Sequence, residues 1–202
     1  MLRLVILIIF LCTSCAALAS AEILMGVISG PLEFEDRTSS PKDELDSANF
    51  GLQVSVRASA RFGKALVGAV AHQSWSDMSL NKNYSISSDN SFERTSYGAY
   101  LGLFITENFK ANIEFYPSSN LNIVWAENKA GNYFVKNDKL KGRGAGFGLS
   151  YAQGGFFYEL LYQYYRIDKV SLSGVNYVVN DNSLKFNDPN VQTVGLFLGF
   201  IF

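Results

Sequence analysis

The residues best able to do chemistry are few. His72 is the single histidine of the 202-residue chain, and Ser74, Asp77 and Ser79 follow it closely. A histidine beside a serine hydroxyl is the minimum needed to activate a nucleophile by general-base catalysis. Glu114 and Glu159 form a second candidate, since two carboxylates facing one bond are what glycoside hydrolysis uses. Arg57 and Lys110 are cations that would instead neutralise such carboxylates. Metal ligation is poorly served, because the lone histidine is joined only by Cys12 and Cys15, both in an N-terminal apolar stretch. What these groups can do depends on which of them share a surface, and that depends on the elements carrying them.

The N-terminus reads as an export signal. Met1-Leu2-Arg3 is a short positive start, Leu4 to Leu11 an unbroken apolar run, and Ala19-Ser20-Ala21 a small-x-small cleavage site, so cleavage is expected before Glu22. The division is then residues 1–21 as signal peptide and 22–202 as one barrel domain. The competing reading is acylation of Cys15 after Thr13-Ser14, weakened because Cys12 stands where a branched apolar residue is expected. Either way both cysteines belong to the leader, so the mature chain is expected to carry no disulfide or thiol chemistry. Net charge is −1, leaving no basic footprint for nucleic acid. No other apolar run approaches the roughly 20 residues of a spanning helix. Yet 14% of residues are aromatic, with 17 glycines beside them. That mixture suits transmembrane strands, whose signal is weak and alternating.

Period-two alternation predicts eight strands. They run at about 23–34, 48–60, 64–76, 92–106, from 109, 140–152, 156–168 and through the terminal segment. In the second strand Phe50, Leu52, Val54 and Val56 oppose Gly51, Gln53, Ser55 and Arg57. In the terminal strand Val194, Leu196, Leu198, Phe200 and Phe202 form one wholly apolar face, with Gly195, Phe197 and Gly199 on the other. Tight turns at Arg61-Phe62-Gly63, Glu107-Asn108 and Gln153-Gly154-Gly155 alternate with polar segments at about 35–47, 77–91, 127–139 and 169–190, read as long loops. Short turns on one side and long loops on the other, with an even strand number, are the layout of an outer-membrane barrel. A soluble barrel such as a lipocalin would turn its large apolar residues inward, whereas here the minor faces hold glycine, serine and amides. The expected class is all-β: an eight-stranded antiparallel up-and-down transmembrane β-barrel, with both termini on the short-turn side.

The signal, the eight strands, the four long loops and the terminal Phe202 resemble the small outer-membrane barrels of the OmpA, OmpX and OmpW type. The resemblance is one of architecture over the whole mature chain. It implies the bacterial outer membrane, with its lipid and lipopolysaccharide, as the setting. It also implies insertion by the barrel assembly machinery, which reads the last strand through Val194, Leu196, Leu198, Phe200 and Phe202. Some eight-stranded outer-membrane barrels acylate or deacylate lipid A with His and Ser near the extracellular rim. That makes His72 worth weighing, although neither enzyme's motif is present.

Within such a barrel Arg57, Glu114 and Glu159 fall on the inner face at similar distances from the short turns. They are expected to form a charge network, joined by Lys110, that plugs the lumen; a gate or ion path is the functional alternative. His72 and Ser74 share a face, and His72 is expected near the headgroups as a polar rim residue. The segment Val175-Asn176-Tyr177-Val178-Val179 with Leu184-Lys185-Phe186 could extend the last hairpin beyond the membrane and meet a partner. Three functions remain. The first is a non-enzymatic barrel whose extracellular loops serve surface interaction, adhesion to an extracellular protein partner, or envelope integrity. The second is a narrow channel for small apolar molecules, as the OmpW likeness would allow. The third is a lipid A-modifying enzyme using His72. No cofactor, metal or catalytic residue is assigned under the first.

Overall fold

The computed structural model describes residues 19–36, 44–82, 86–128, 134–179 and 186–202. The signal-peptide reading of residues 1–21 therefore lies outside the described residues, except for Ala19–Ala21. Those three are strand here, with Ala19 paired to Ala60 and Ala21 to Ala58.

The strands are β1 (Ala19–Asp36), β2 (Glu44–Phe62), β3 (Ala65–Lys82), β4 (Ile86–Phe104), β5 (Phe109–Ala126), β6 (Lys139–Gln153), β7 (Phe156–Leu172), a short β8 (Val175–Val178) and β9 (Phe186–Ile201). Each of β1 to β7 pairs antiparallel with the next in sequence, and β9 pairs with both β7 and β1. The sheet thus closes on itself as an eight-stranded up-and-down barrel and leaves no long edge, which is how a β structure satisfies its backbone without water. The faces fall as the alternation predicts. Leu52, Val56, Leu101, Ile113, Leu160 and Leu196 lie outside and exposed, while Gln53, Arg57, Tyr100, Glu114, Leu161 and Phe197 are buried inside.

The polar segments differ from expectation. Most of what reads as loop at 35–47 and 77–91 is strand, since β1 reaches Asp36, β2 starts at Glu44, β3 reaches Lys82 and β4 starts at Ile86. At about 3.3 Å per residue, strands of this length exceed what the roughly 25 Å apolar band of an outer-membrane barrel needs. They continue as polar ladders held by cross-strand pairs: Thr95 Oγ1 donates to Gln73 Oε1 at 2.7 Å, and Ser91 Oγ to Asp77 Oδ1 at 2.6 Å. Polarity marks contact with water here, not the end of pairing. Val175–Val178 folds back on Lys169–Leu172 of β7 through Ser173 and Gly174, both at positive φ, the signature of a tight two-residue hairpin turn. Residues 180–185 of the expected extension lie outside the described residues.

One side of the lumen is carved out by glycines. Along β6, Gly144, Gly146 and Gly148 point inward, and a Cβ on Gly148 would stand 2.6 Å from Asn112 Oδ1. The missing side chains leave room for Asn112, Glu114 and Tyr116 from β5 and Tyr165 from β7. Gly148→Val should lower the free energy of urea unfolding of the refolded protein by about 1–3 kcal/mol, the usual cost of overpacking. An unchanged midpoint would mean that the lumen is loose at this height.

Candidate functional site

The centre of the lumen is a salt-bridge cluster around Arg57, whose exposure is 0%. Its Nε donates to Glu114 Oε1 at 2.7 Å, and its two terminal nitrogens reach the Glu159 carboxylate at 2.7 and 2.5 Å. Such a two-nitrogen fork is the strongest arrangement open to this pair. Arg57 Nη1 also lies 3.3 Å from Glu22 Oε2, and Lys110 Nζ donates to Glu22 Oε1 at 2.5 Å. Asn112 Nδ2 and Ser150 Oγ donate to Glu159 Oε2 at 2.9 and 2.6 Å. The structure therefore brings Arg57, Glu114, Glu159 and Lys110 into one constellation.

Sequence reasoning missed its third acid, Glu22, which sits next to the proposed cleavage site and just before the first predicted strand. Arg94 was also passed over. It is buried over the Tyr165 ring, 4.0 Å from the centroid, and its Nη2 donates to Gln53 Oε1 at 3.0 Å and Gln163 Oε1 at 3.2 Å. With Arg94 counted, the buried cluster holds three cations, Arg57, Lys110 and Arg94, against three carboxylates, Glu22, Glu114 and Glu159. It is neutral when His72 is neutral.

From Arg94 the hydrogen bonds run toward Glu114. Arg94 has no acceptor, so it fixes the oxygens of Gln53 and Gln163 and turns their amide nitrogens away. Gln53 Nε2 then donates to His72 Nδ1 at 3.1 Å, and Gln163 Nε2 to Tyr116 Oη at 3.0 Å. A His72 Nδ1 that accepts leaves the ring proton on Nε2, which faces Glu114 Oε2 at 3.0 Å. Tyr116 Oη donates to the same carboxylate oxygen in a short contact. Glu114 is thus saturated by Arg57, His72 and Tyr116, and the chain of polar groups has one direction.

His72 is not at the rim. It stands mid-strand, paired with Ser55 and Ser96, and is 2% exposed. The prediction misplaced it because β3 runs past Ser76 to Lys82, which moves the middle of the strand upward. Ser74 shares a face with His72, as expected, and that face is the inner one, but it makes no hydrogen bond with His72. Asp77 lies outside, bonded to Ser91, and the Ser79 side chain is outside the described residues. The hydroxyl that meets the imidazole is Ser55, its Oγ 2.5 Å from Nδ1. Ser55, His72 and Glu114 therefore line up as hydroxyl, imidazole and carboxylate, the order of a hydrolytic triad. Chemistry needs a carbonyl within reach of the hydroxyl, and here Ser55 and Glu114 have no exposed surface. The same holds for a glycosidase reading of Glu114 and Glu159, whose oxygens are all held by Arg57 and its neighbours.

Apolar groups seal the space around the charges. Leu24, Ile28, Phe157, Leu161 and Phe197 fill the side formed by β1, β7 and β9. Toward the long-loop end Phe92, Leu121, Ile123, Leu140 and Val170 close over the lumen, with Phe134 and Val179 added from the connecting segments. On β9, Val194, Leu196, Leu198 and Phe200 are exposed on the outer wall, and Phe202, one residue past the strand, is exposed as well.

No family model and no curated protein matches the chain. Solved structures do. Ail, the attachment invasion locus protein of Yersinia pestis, in complex with the heparin analogue sucrose octasulfate, is similar with a TM-score of 0.55 at 16% identity, over 91% of this chain and 99% of that one. Ail alone gives 0.50 at 13% identity over the same shares. The outer membrane protein OprG from Pseudomonas aeruginosa gives 0.53 at 12%, over 92% of this chain and 97% of that one. At such identities the likeness is one of fold, and in fold the chain is a small eight-stranded antiparallel β-barrel of the outer-membrane type.

Proposed function

We propose that the chain is a non-enzymatic integral protein of the bacterial outer membrane that acts through its loop end, in surface interaction or envelope integrity, on a barrel whose lumen is closed. The observation that carries this reading is the filled interior. An eight-stranded barrel is just wide enough for side chains to occupy it, and here a salt-bridge cluster and an apolar cap do so. The charges act as a strut that fixes the cross-section, and the ladders above the membrane present the connecting segments. On this reading the leader is removed before Glu22, at Ala19-Ser20-Ala21. The barrel assembly machinery then takes the chain through the outward face Val194, Leu196, Leu198, Phe200 and Phe202.

Planar bilayers test the closed lumen. The refolded barrel should give no discrete conductance steps under conditions in which an open porin conducts. Regular steps that change in Arg57→Gln would overturn it in favour of a narrow channel. Replacement of the segment between β7 and β9 by a short turn should abolish any surface-binding phenotype while leaving the folded band on an unboiled gel intact.

A further inference from the structure

The outer wall carries a second charged feature that the lumen does not explain. Where β6 and β7 leave the aromatic level, Arg143 stands directly across from Arg166, and one step higher Lys141 stands across from Lys169. Lys139 follows on the same face, and all five side chains are exposed. Like charges directly opposite on adjacent strands are destabilising, and here two such pairs are stacked.

The local backbone sets up this row. Lys141 pairs with Lys169 but Gly142 pairs with Ile167, so Asp168 is an extra residue in a β-bulge. Because side chains alternate, one added residue exchanges the faces of everything beyond it. Without the bulge Asp168 would have faced out opposite the β6 cations and Lys169 would have faced in. With it, Ile167 and Val170 are both buried and Lys169 joins Lys141 outside. Asp168 offers only a 3.5 Å contact to Arg143, which remains 61% exposed. Among the described residues Lys139, Lys141 and Lys169 make no ion pair.

The ladder also has a shaped surface. A groove of about 550 Å³ is lined by Lys139, Lys141, Lys169, Ser171, Asn176 and Tyr177, where β8 adds a third strand beside β7. Its height is set by the residues beneath. Tyr164 pairs with Ala145 and Tyr162 with Phe147, two and four residues below the arginine pair. Two residues of strand are about 7 Å, so the cations begin just above the aromatic level that marks the membrane interface.

We propose that this outward β6–β7 ladder binds the phosphorylated sugar headgroup of lipopolysaccharide, with Arg143 and the lysines on phosphate and Ser171 and Asn176 on sugar hydroxyls. The proposal rests on the outer-membrane reading above. The occupant follows from charge and place. The cations face sideways over the greasy wall rather than upward from a loop tip, and the anions that lie there are headgroup phosphates. Binding offsets the cross-strand repulsion between Lys141 and Lys169.

The test uses the full barrel refolded in detergent, titrated separately with lipopolysaccharide, with the same lipopolysaccharide after enzymatic dephosphorylation, and with sucrose octasulfate as a soluble polyanion. Saturable binding of intact lipopolysaccharide is expected, weakened about tenfold or more by dephosphorylation and by the double variant Lys141→Ala/Lys169→Ala. Lys64→Ala, a cation at the short-turn end, should change nothing. Equal binding of the dephosphorylated lipid, or an unaffected double variant, would overturn the proposal. So would capture of sucrose octasulfate by these residues with no affinity for the lipid. A protein absent from the outer-membrane fraction would instead defeat the underlying reading, so the two failures are distinguishable.

Discussion

Arg57→Ala should cost the folded barrel more than any other single substitution in the lumen. The change removes the one group that touches Glu114, Glu159 and Glu22 together. Three carboxylates would remain in a space with no exposed surface, opposed by Lys110 at one end and Arg94 at the other. Breaking a buried pair by deleting one partner typically costs about 3–5 kcal/mol, because the stranded charge keeps its desolvation penalty. Against a typical stability of about 5–15 kcal/mol, that is a large fraction. The measurement is urea unfolding of the refolded protein, followed by the fluorescence of Trp75 and Trp125. Arg57→Lys should fall between, since an ammonium keeps the charge but cannot hold one carboxylate with two nitrogens while reaching another. The double change Arg57→Met/Glu159→Gln should recover much of the loss, because it removes one buried charge of each sign and leaves Lys110 and Arg94 balanced by Glu22 and Glu114. An Arg57→Ala unfolding free energy within about 0.5 kcal/mol of the unchanged protein's would show that water reaches the cluster, and the closed-lumen reading would fall with it.

The sequence discloses the wall of this barrel better than its contents. Alternation is a property of single strands, so the outer face of β9 from Val194 to Phe200 and the inner positions of Arg57, Glu114 and Glu159 are legible one strand at a time. Distance from the short turns even places those three at one depth. Contacts across the lumen follow from register summed around the barrel, and register is shifted at bulges. Shifts occur between Tyr97 and Ala99, between Tyr116 and Ser119, and between Lys141 and Gly142. No local residue pattern marks all three. Glu22 escaped notice because its neighbours also form a good cleavage site, and one segment can carry two signals. Arg94 and His72 were misjudged for a shared reason. Polar residues beyond the apolar band read as loop, so the predicted strands are too short and their midpoints too low. The cationic row on β6 and β7 was equally hidden, since Lys169 faces outward only by virtue of the bulge at Asp168.

Leu196→Arg should be nearly as damaging as loss of Arg57, for the opposite physical reason. Leu196 is 64% exposed on the outer wall, paired with Val27 on one side and Leu160 on the other. It lies between an aromatic level at Phe156, Tyr158 and Phe200 and another at Tyr162 and Tyr164. If water covered this wall, an arginine there would be neutral or would improve solubility, because nothing in the protein contacts the outer side of the residue closely. If hydrocarbon covers it, the guanidinium must be brought into the middle of the bilayer, which costs about 2–4 kcal/mol for an arginine near the midplane of a transmembrane barrel. The depth dependence makes the test selective. Tyr164→Arg, one row below the Arg143–Arg166 pair, should cost only about 0–1 kcal/mol because its charge reaches the headgroups. Folding equilibria of both variants into lipid vesicles, measured against the unchanged barrel, should therefore differ by about 2 kcal/mol or more. The two positions share the same strand-paired, outward-facing geometry, so packing and β-propensity largely cancel in the comparison. Equal values for the two variants would place the same solvent at both heights and remove the membrane from the account of this wall. A steep difference would give the greasy face of β9 its reason: these residues pack against no part of the protein because lipid is what they meet.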